Sequence, residues 1–105
     1  MKEIKYYKLV RDNIPSIIKS NNNQVITHIA DDTEYIEALF SKIMEEIEEF
    51  KQSPNEEELA DILEVVYALA SVYQIEMSNV IKVKDEKRKE RGGFDKKIIL
   101  EKVIE

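Results

Sequence analysis

Glu45-Glu46-Ile47-Glu48-Glu49, followed after a short gap by Glu58-Leu59-Ala60-Asp61, is the stretch on which the fold turns. Each half lies in a helix with its own start signal. Asp31 with Glu34 three residues later forms a capping box, and the helix it opens is predicted to run to about Gln52. In Ser53-Pro54-Asn55-Glu56, Ser53 reads as the next cap, Pro54 as the first helical residue and Glu56 as the closing acid, for a second helix to about Gln74. Only a few residues join the two, so they fold back as an antiparallel hairpin.

At about 100° per residue, the first helix has one apolar stripe of Ile36, Leu39, Phe40, Ile43, Ile47 and Phe50. Glu46 sits at its edge, Glu49 lies one turn on, and Glu45 and Glu48 point further toward solvent. Four glutamates in five residues repel one another, although such runs are more often solvated faces. The second helix, Leu59 to Tyr73, is apolar nearly all round, as in a buried helix. Glu58 shares a sector with Ile62, Val65 and Leu69, and Asp61 lies beside Val65, Ala68 and Val72. A buried carboxylate must be protonated, paired or metal-bound. The bland alternative, an exposed first turn favoured by the helix dipole, covers Glu58 but not Asp61. Four carboxylates converging across the hairpin call for a divalent cation, and hard oxygen donors suit Mg2+ or Mn2+ rather than zinc.

Outside the hairpin, Asp12 or Asn13 caps a short helix with Pro15 in its first turn, ended by Asn21-Asn22-Asn23. Gln24 to Ala30 reads as a strand that would pair with Ile98-Ile99-Leu100. Ser78 is the expected cap of a third long helix, stopped by Gly92-Gly93. The expected fold is therefore all-α: a single domain over residues 1–105, a helical hairpin dimerising into a four-helix bundle, with room for a small two-stranded β element.

Bulk composition narrows the function classes. A chain of 105 residues buries only about 60–65% of its unfolded surface, so an isolated hairpin would be marginal. The helix from Leu59 to Tyr73 has more surface than one partner covers, which predicts a homodimer and leaves further pairing to a tetramer open. With no Cys, thiolate catalysis, disulfides and Cys-based zinc sites are excluded. The net charge of -6 argues against general nucleic-acid binding. Met1 to Tyr7 are too polar for a signal peptide and no apolar run spans a membrane, so a cytoplasmic location is expected. Acid concentrates between Asp31 and Glu64, while Lys82 to Arg91 holds six of the sixteen basic residues. That division suits a site for cations and phosphates, or simply two solvated helix faces.

The glutamate run and the Glu58-Leu59-Ala60-Asp61 segment resemble the EExxE…ExxD motif of the all-α nucleotide pyrophosphohydrolases, a superfamily including MazG, dimeric dUTPases and phosphoribosyl-ATP pyrophosphohydrolase. Lys8-Leu9-Val10-Arg11-Asp12-Asn13-Ile14-Pro15 and Arg91-Gly92-Gly93-Phe94 resemble a small single-domain MazG-related subgroup of phosphoribosyl-ATP-pyrophosphohydrolase-like proteins, so the likeness covers nearly the whole chain. It implies metal ligation by Glu46, Glu49, Glu58 and Asp61, the residues that the helical wheel selects independently. It further implies that Glu46 or Glu49 acts as general base. The implied reaction is hydrolysis of a nucleoside triphosphate between its α- and β-phosphates, with metal ions neutralising phosphate oxygens and lowering the pKa of the attacking water. In MazG proteins a later helix carries Asn-x-Lys-Phe-x-x-Arg. Here Asp85, Lys87 and Arg91 match its Asn, Lys and Arg, and Arg88 replaces its Phe. Lys87 and Arg91 are thereby expected to hold the phosphates, with Arg88 and Lys84 as weaker candidates. The gap between Glu49 and Glu58 is shorter than in most relatives.

Lys8 and Arg11 are candidates for phosphate binding or for salt bridges to the acidic centre. His28 reads as structural or surface, Tyr67 and Tyr73 as core or interface, and Met44 and Met77 as packing. The leading functional expectation is an enzyme acting on non-canonical or surplus nucleotides. The alternatives are phosphoribosyl-ATP hydrolysis and a non-catalytic helical dimer serving as adaptor or regulator.

Overall fold

The computed structural model describes residues 2–105, all of whose regular structure is helical: α1 (Ile14–Ser20), α2 (Asp32–Gln52), α3 (Glu56–Val72) and α4 (Met77–Arg91). Asp31 caps α2 as its sequence requires, its Oδ1 accepting the Glu34 N–H at 2.9 Å. Asn13 occupies the cap position of α1, with no hydrogen bond from its side chain, and Pro15 follows in the first turn.

The junction between α2 and α3 differs from expectation. Ser53 does not cap α3; its N–H closes α2 by donating to Glu49 O at 3.0 Å, and its extended φ is the geometry that a residue before proline prefers. Pro54 consequently precedes the helix instead of opening it. Asn55 is the cap, with Oδ1 accepting the Glu58 N–H at 2.9 Å. Similarly, α4 starts one residue before Ser78, with Glu76 at the cap position and Ser78 inside the helix. Gly92 ends α4 as expected, at φ 89, where a side chain would strain the backbone.

No strand forms among the described residues, which corrects the expected pairing of Gln24–Ala30 with Ile98–Leu100. Both segments alternate or cluster apolar residues, but a strand needs a hydrogen-bonded neighbour, and here Ile26, Ile29, Ile98 and Ile99 face solvent.

The α2–α3 hairpin is the main packed unit of the chain. Its buried apolar core is small: Leu39 from α2, and Val65 and Ala70 from α3. Phe40, Met44 and Ile47 on α2, with Leu59, Leu63 and Tyr67 on α3, remain exposed. The molecule is correspondingly extended, with a radius of gyration of 18.7 Å, against about 13 Å for a compact chain of this length. No helix of the described residues is long and apolar enough to cross a membrane.

Candidate metal centre

Glu46 is the only charged residue among the buried ones of the described residues, at 5% exposure, and its Oε2 has no hydrogen-bond partner. It reaches this position because Leu39, buried at 1%, sits two turns earlier on the face of α2 that meets α3. Across the hairpin, the Asn55 cap fixes the backbone at Glu58, and Asp61 follows one turn on along α3. The Glu58 Oε2 atom is also buried without a partner. Glu46, Glu58 and Asp61 each offer a carboxylate oxygen within 4.8 Å of the others. Three of the four expected ligands thus converge on one point.

Glu49 joins a second triad, with Glu45 and Glu46, on the same distance criterion, and is itself exposed. Glu46 belongs to both groups and lies between an inner and an outer set of oxygens. Glu45 is an addition to the expected set; the wheel turned it toward solvent, whereas it is half-buried.

Side-chain cations partly neutralise these acids. Lys42 Nζ lies 3.2 Å from Glu46 Oε1 and 3.7 Å from Glu45 Oε1. Lys8 Nζ donates to Glu45 Oε1 at 2.9 Å. Arg11 Nη2 donates to Asp61 Oδ1 at 2.7 Å, with Nη1 3.6 Å from Glu64 Oε1. Lys42 was missed from sequence, although its spacing of three and four residues from Glu45 and Glu46 is a recognisable helix-pair signal. Three cations face six carboxylates across these groups, leaving three negative charges without a counter-charge.

The electrostatic consequences are directional. Burial pushes the Glu46 carboxyl above its ordinary value, opposed by Lys42 and assisted by the neighbouring Glu49 carboxylate. The Lys8 hydrogen bond holds Glu45 below the usual carboxylate value, and the same contact raises Lys8. A carboxyl resisting ionisation beside one that is held ionised is the environment that an added cation relieves. With oxygen donors alone, the set fits a hard divalent ion.

The expected phosphate ligands stand apart from this cluster. Among the described residues, no ion pair joins Lys87 or Arg91 to it; Asp85 pairs with its neighbour Lys84 at 2.9 Å, and Arg88 approaches Asp95 at 3.5 Å. His28 is exposed and pairs with Glu34 at 3.0 Å, near the start of α2. Comparison of the chain with protein-family models, with curated proteins and with solved structures returned no match.

Proposed function

We propose that this chain is a Mg2+- or Mn2+-dependent nucleotide pyrophosphohydrolase that cleaves nucleoside triphosphates, non-canonical ones foremost, to monophosphate and pyrophosphate. The observation that carries the reading is the burial of Glu46, with an unpartnered oxygen, in a triad with Glu58 and Asp61. A bare acidic cluster at the surface would carry little weight; Glu46 is buried, and although Lys42 stands 3.2 Å from its Oε1, its Oε2 is left without a donor, which favours a cation there.

In this reading Glu46, Glu58 and Asp61 hold the ion, and Glu49, exposed and with a carboxylate oxygen within 4.8 Å of Glu46, serves as general base. A bound Mg2+ supplies charge neutralisation to the phosphate oxygens and acidity to a nearby water. Hydrolysis joins the water oxygen to the α-phosphorus and breaks the α–β anhydride bond; Glu49 takes the proton, and pyrophosphate leaves with the electron pair. Lys87 and Arg91 meet the phosphates only if α4 closes on a hairpin, its own or a partner's.

A homodimer is part of the same proposal. The accessible surface of 10158 Å² for a 12.3 kDa chain exceeds the roughly 6,100 Å² of a compact monomer by about 4,000 Å². Over two chains the excess is about 8,000 Å², enough to contain the roughly 2,000–5,000 Å² that an obligate interface buries in total. The apolar faces of Phe40, Met44 and Ile47 and of Leu59, Leu63 and Tyr67 are the surfaces to cover, and a four-helix bundle covers them.

One observation favours the non-catalytic reading: Lys8, Arg11 and Lys42 already neutralise part of the cluster. Calorimetric titration with Mg2+ separates the two, since an adaptor gives no binding or binding indifferent to Glu58→Gln. A panel of nucleotides that includes phosphoribosyl-ATP, scored for metal-dependent pyrophosphate release, then tests the reaction and its substrate. Absence of release across the panel would sink the enzymatic reading.

A further inference from the structure

The N-terminal segment has little packing of its own; from Lys2 to Arg11 only Leu9 is even half-buried. It nevertheless touches both helices of the hairpin. Lys8 bonds to Glu45 on α2, and three residues later Arg11 bonds to Asp61 and approaches Glu64 on α3. Ion pairs hold this path where burial does not. The Arg11 contacts are lopsided: one donor of the guanidinium is used at 2.7 Å, another stands 3.6 Å from its acceptor, and the side chain is 54% exposed. Most of its five N–H donors are therefore uncommitted. Asp61 gives Oδ1 to Arg11 and also offers a carboxylate oxygen to the proposed cation position that it shares with Glu46 and Glu58. The guanidinium stands one carboxylate away from that cation position.

We infer that Arg11 is a phosphate-binding residue of the site, held by Asp61 where it takes the polyphosphate of a nucleotide bound at the Glu46–Glu58–Asp61 triad. The inference rests on the metal reading above and goes beyond it by assigning the substrate anion to this chain's own N-terminal segment. Two cations on one carboxylate repel each other, and a polyphosphate oxygen between them relieves the repulsion. The planar fork of Arg11 matches two phosphate oxygens at once, which an ammonium group does not. Its pair with Asp61 is solvent-exposed and weak, so donors turn from carboxylate to phosphate at little loss. Arg11 reaches this position with the helices as they stand, whereas Lys87 and Arg91 have no pairing with the cluster among the described residues.

The test is calorimetric titration of the full chain with Mg2+ alone, and then with pyrophosphate at saturating Mg2+, for wild type, Arg11→Ala and Arg11→Lys, with helical circular dichroism as the check on folding. Arg11→Ala is expected to bind Mg2+ as tightly as wild type or several-fold tighter, because a competitor for Asp61 is gone, and to bind pyrophosphate about 10-fold or more weakly. Arg11→Lys keeps the charge but not the fork, and its pyrophosphate binding is expected to fall several-fold. Unchanged pyrophosphate binding in these variants, or equal losses for Mg2+ and pyrophosphate, overturns the assignment. Should Arg11→Ala lose its helical signal, Arg11→Lys decides by the same criterion. A wild type that binds no Mg2+ overturns the metal reading and this inference together; one that binds both ligands, with indifferent Arg11 variants, overturns this inference alone.

Discussion

Glu46 on α2 and Glu58 on α3 each bury an Oε2 atom with no hydrogen-bond partner, and both carboxylates belong to one triad with Asp61. Each unpaired atom taken alone is destabilising by about 1–3 kcal/mol. In the proposed metal site a cation would meet both atoms, and its binding energy would become folding energy. Mg2+ at a hundred times its dissociation constant is expected to stabilise the chain by about 2.7 kcal/mol. At about 4–8 °C per kcal/mol for a domain of this size, the rise in melting temperature is easily measured. Glu58→Gln should remove most of the rise. Identical melting curves in EDTA and in excess Mg2+ would rule the centre out.

Glu46 also sets a pH dependence whose sign follows from its environment. Burial raises it above the ordinary 4.5, so the folded state holds this proton more tightly than the unfolded state. The associated stability is fully present below pH 4.5 and is lost as pH rises through the folded value. At neutral pH and without metal, Glu46→Gln is expected to stabilise the fold by about 1 kcal/mol. The gain should shrink under acid. Glu45 behaves oppositely: Lys8 holds it below 4.5, so its contribution is present above pH 4.5 and is lost as pH falls through the folded value. Glu45→Gln should therefore weaken the fold at neutral pH. Denaturant titrations in EDTA at several pH values check both signs, and parallel behaviour of the two variants would contradict this account.

The hairpin and the clustering of Glu46, Glu58 and Asp61 were legible because local rules govern them. The Asp31 cap, the apolar stripe containing Leu39 and the three-residue spacing of Glu58 and Asp61 are all readable within a few turns of helix. Lys8 and Arg11 do make the salt bridges to the acidic centre that the sequence offered as one alternative, but their individual partners, 37 and 50 positions away, follow from no local pattern. The strand at Gln24–Ala30 was read from alternation alone, but alternation states a preference for a half-buried sheet without supplying the second strand. Lys42 is legible in principle, since its spacing of three and four residues to Glu45 and Glu46 is a local helix-pair signal.

The junction at Ser53 yields a separate prediction, because two good capping residues lie two positions apart and only one is used. Asn55 Oδ1 accepts the Glu58 N–H, while Asn55 Nδ2 donates to Ser53 O at 3.1 Å, so one side chain binds both sides of the turn. Asn55→Ala is expected to destabilise the fold by about 1 kcal/mol, and Ser53→Ala by less than about 0.5 kcal/mol. Because the cap bonds the backbone N–H of Glu58 itself, Asn55→Ala should also weaken Mg2+ binding, which Ser53→Ala should not. A larger loss in Ser53→Ala, measured by urea unfolding, would return the cap to the serine.

The exposed apolar faces make the last prediction one of assembly. Leu59, Leu63 and Tyr67 recur every four residues and so form a single ridge on α3, with Leu63 at its centre and 52% exposed. Three buried apolar residues are too few to hold a 105-residue chain against its conformational entropy. Covering the ridge with a second hairpin adds about 1.5–3 kcal/mol for each large apolar side chain removed from water. Stability then depends on protein concentration, because folding and association are one equilibrium. Sedimentation equilibrium is expected to give a dimer or a multiple of it, and the melting temperature should rise with concentration. Leu63→Asp places a charge in the middle of the covered ridge, so it should dissociate the assembly and lower helical content at micromolar concentration. Leu63 lies outside both carboxylate triads, which makes any loss of Mg2+ binding in this variant a consequence of unfolding or dissociation. A wild-type chain that sediments as a monomer, with a melting temperature indifferent to dilution, would leave the excess of about 4,000 Å² of surface without a partner and defeat the bundle.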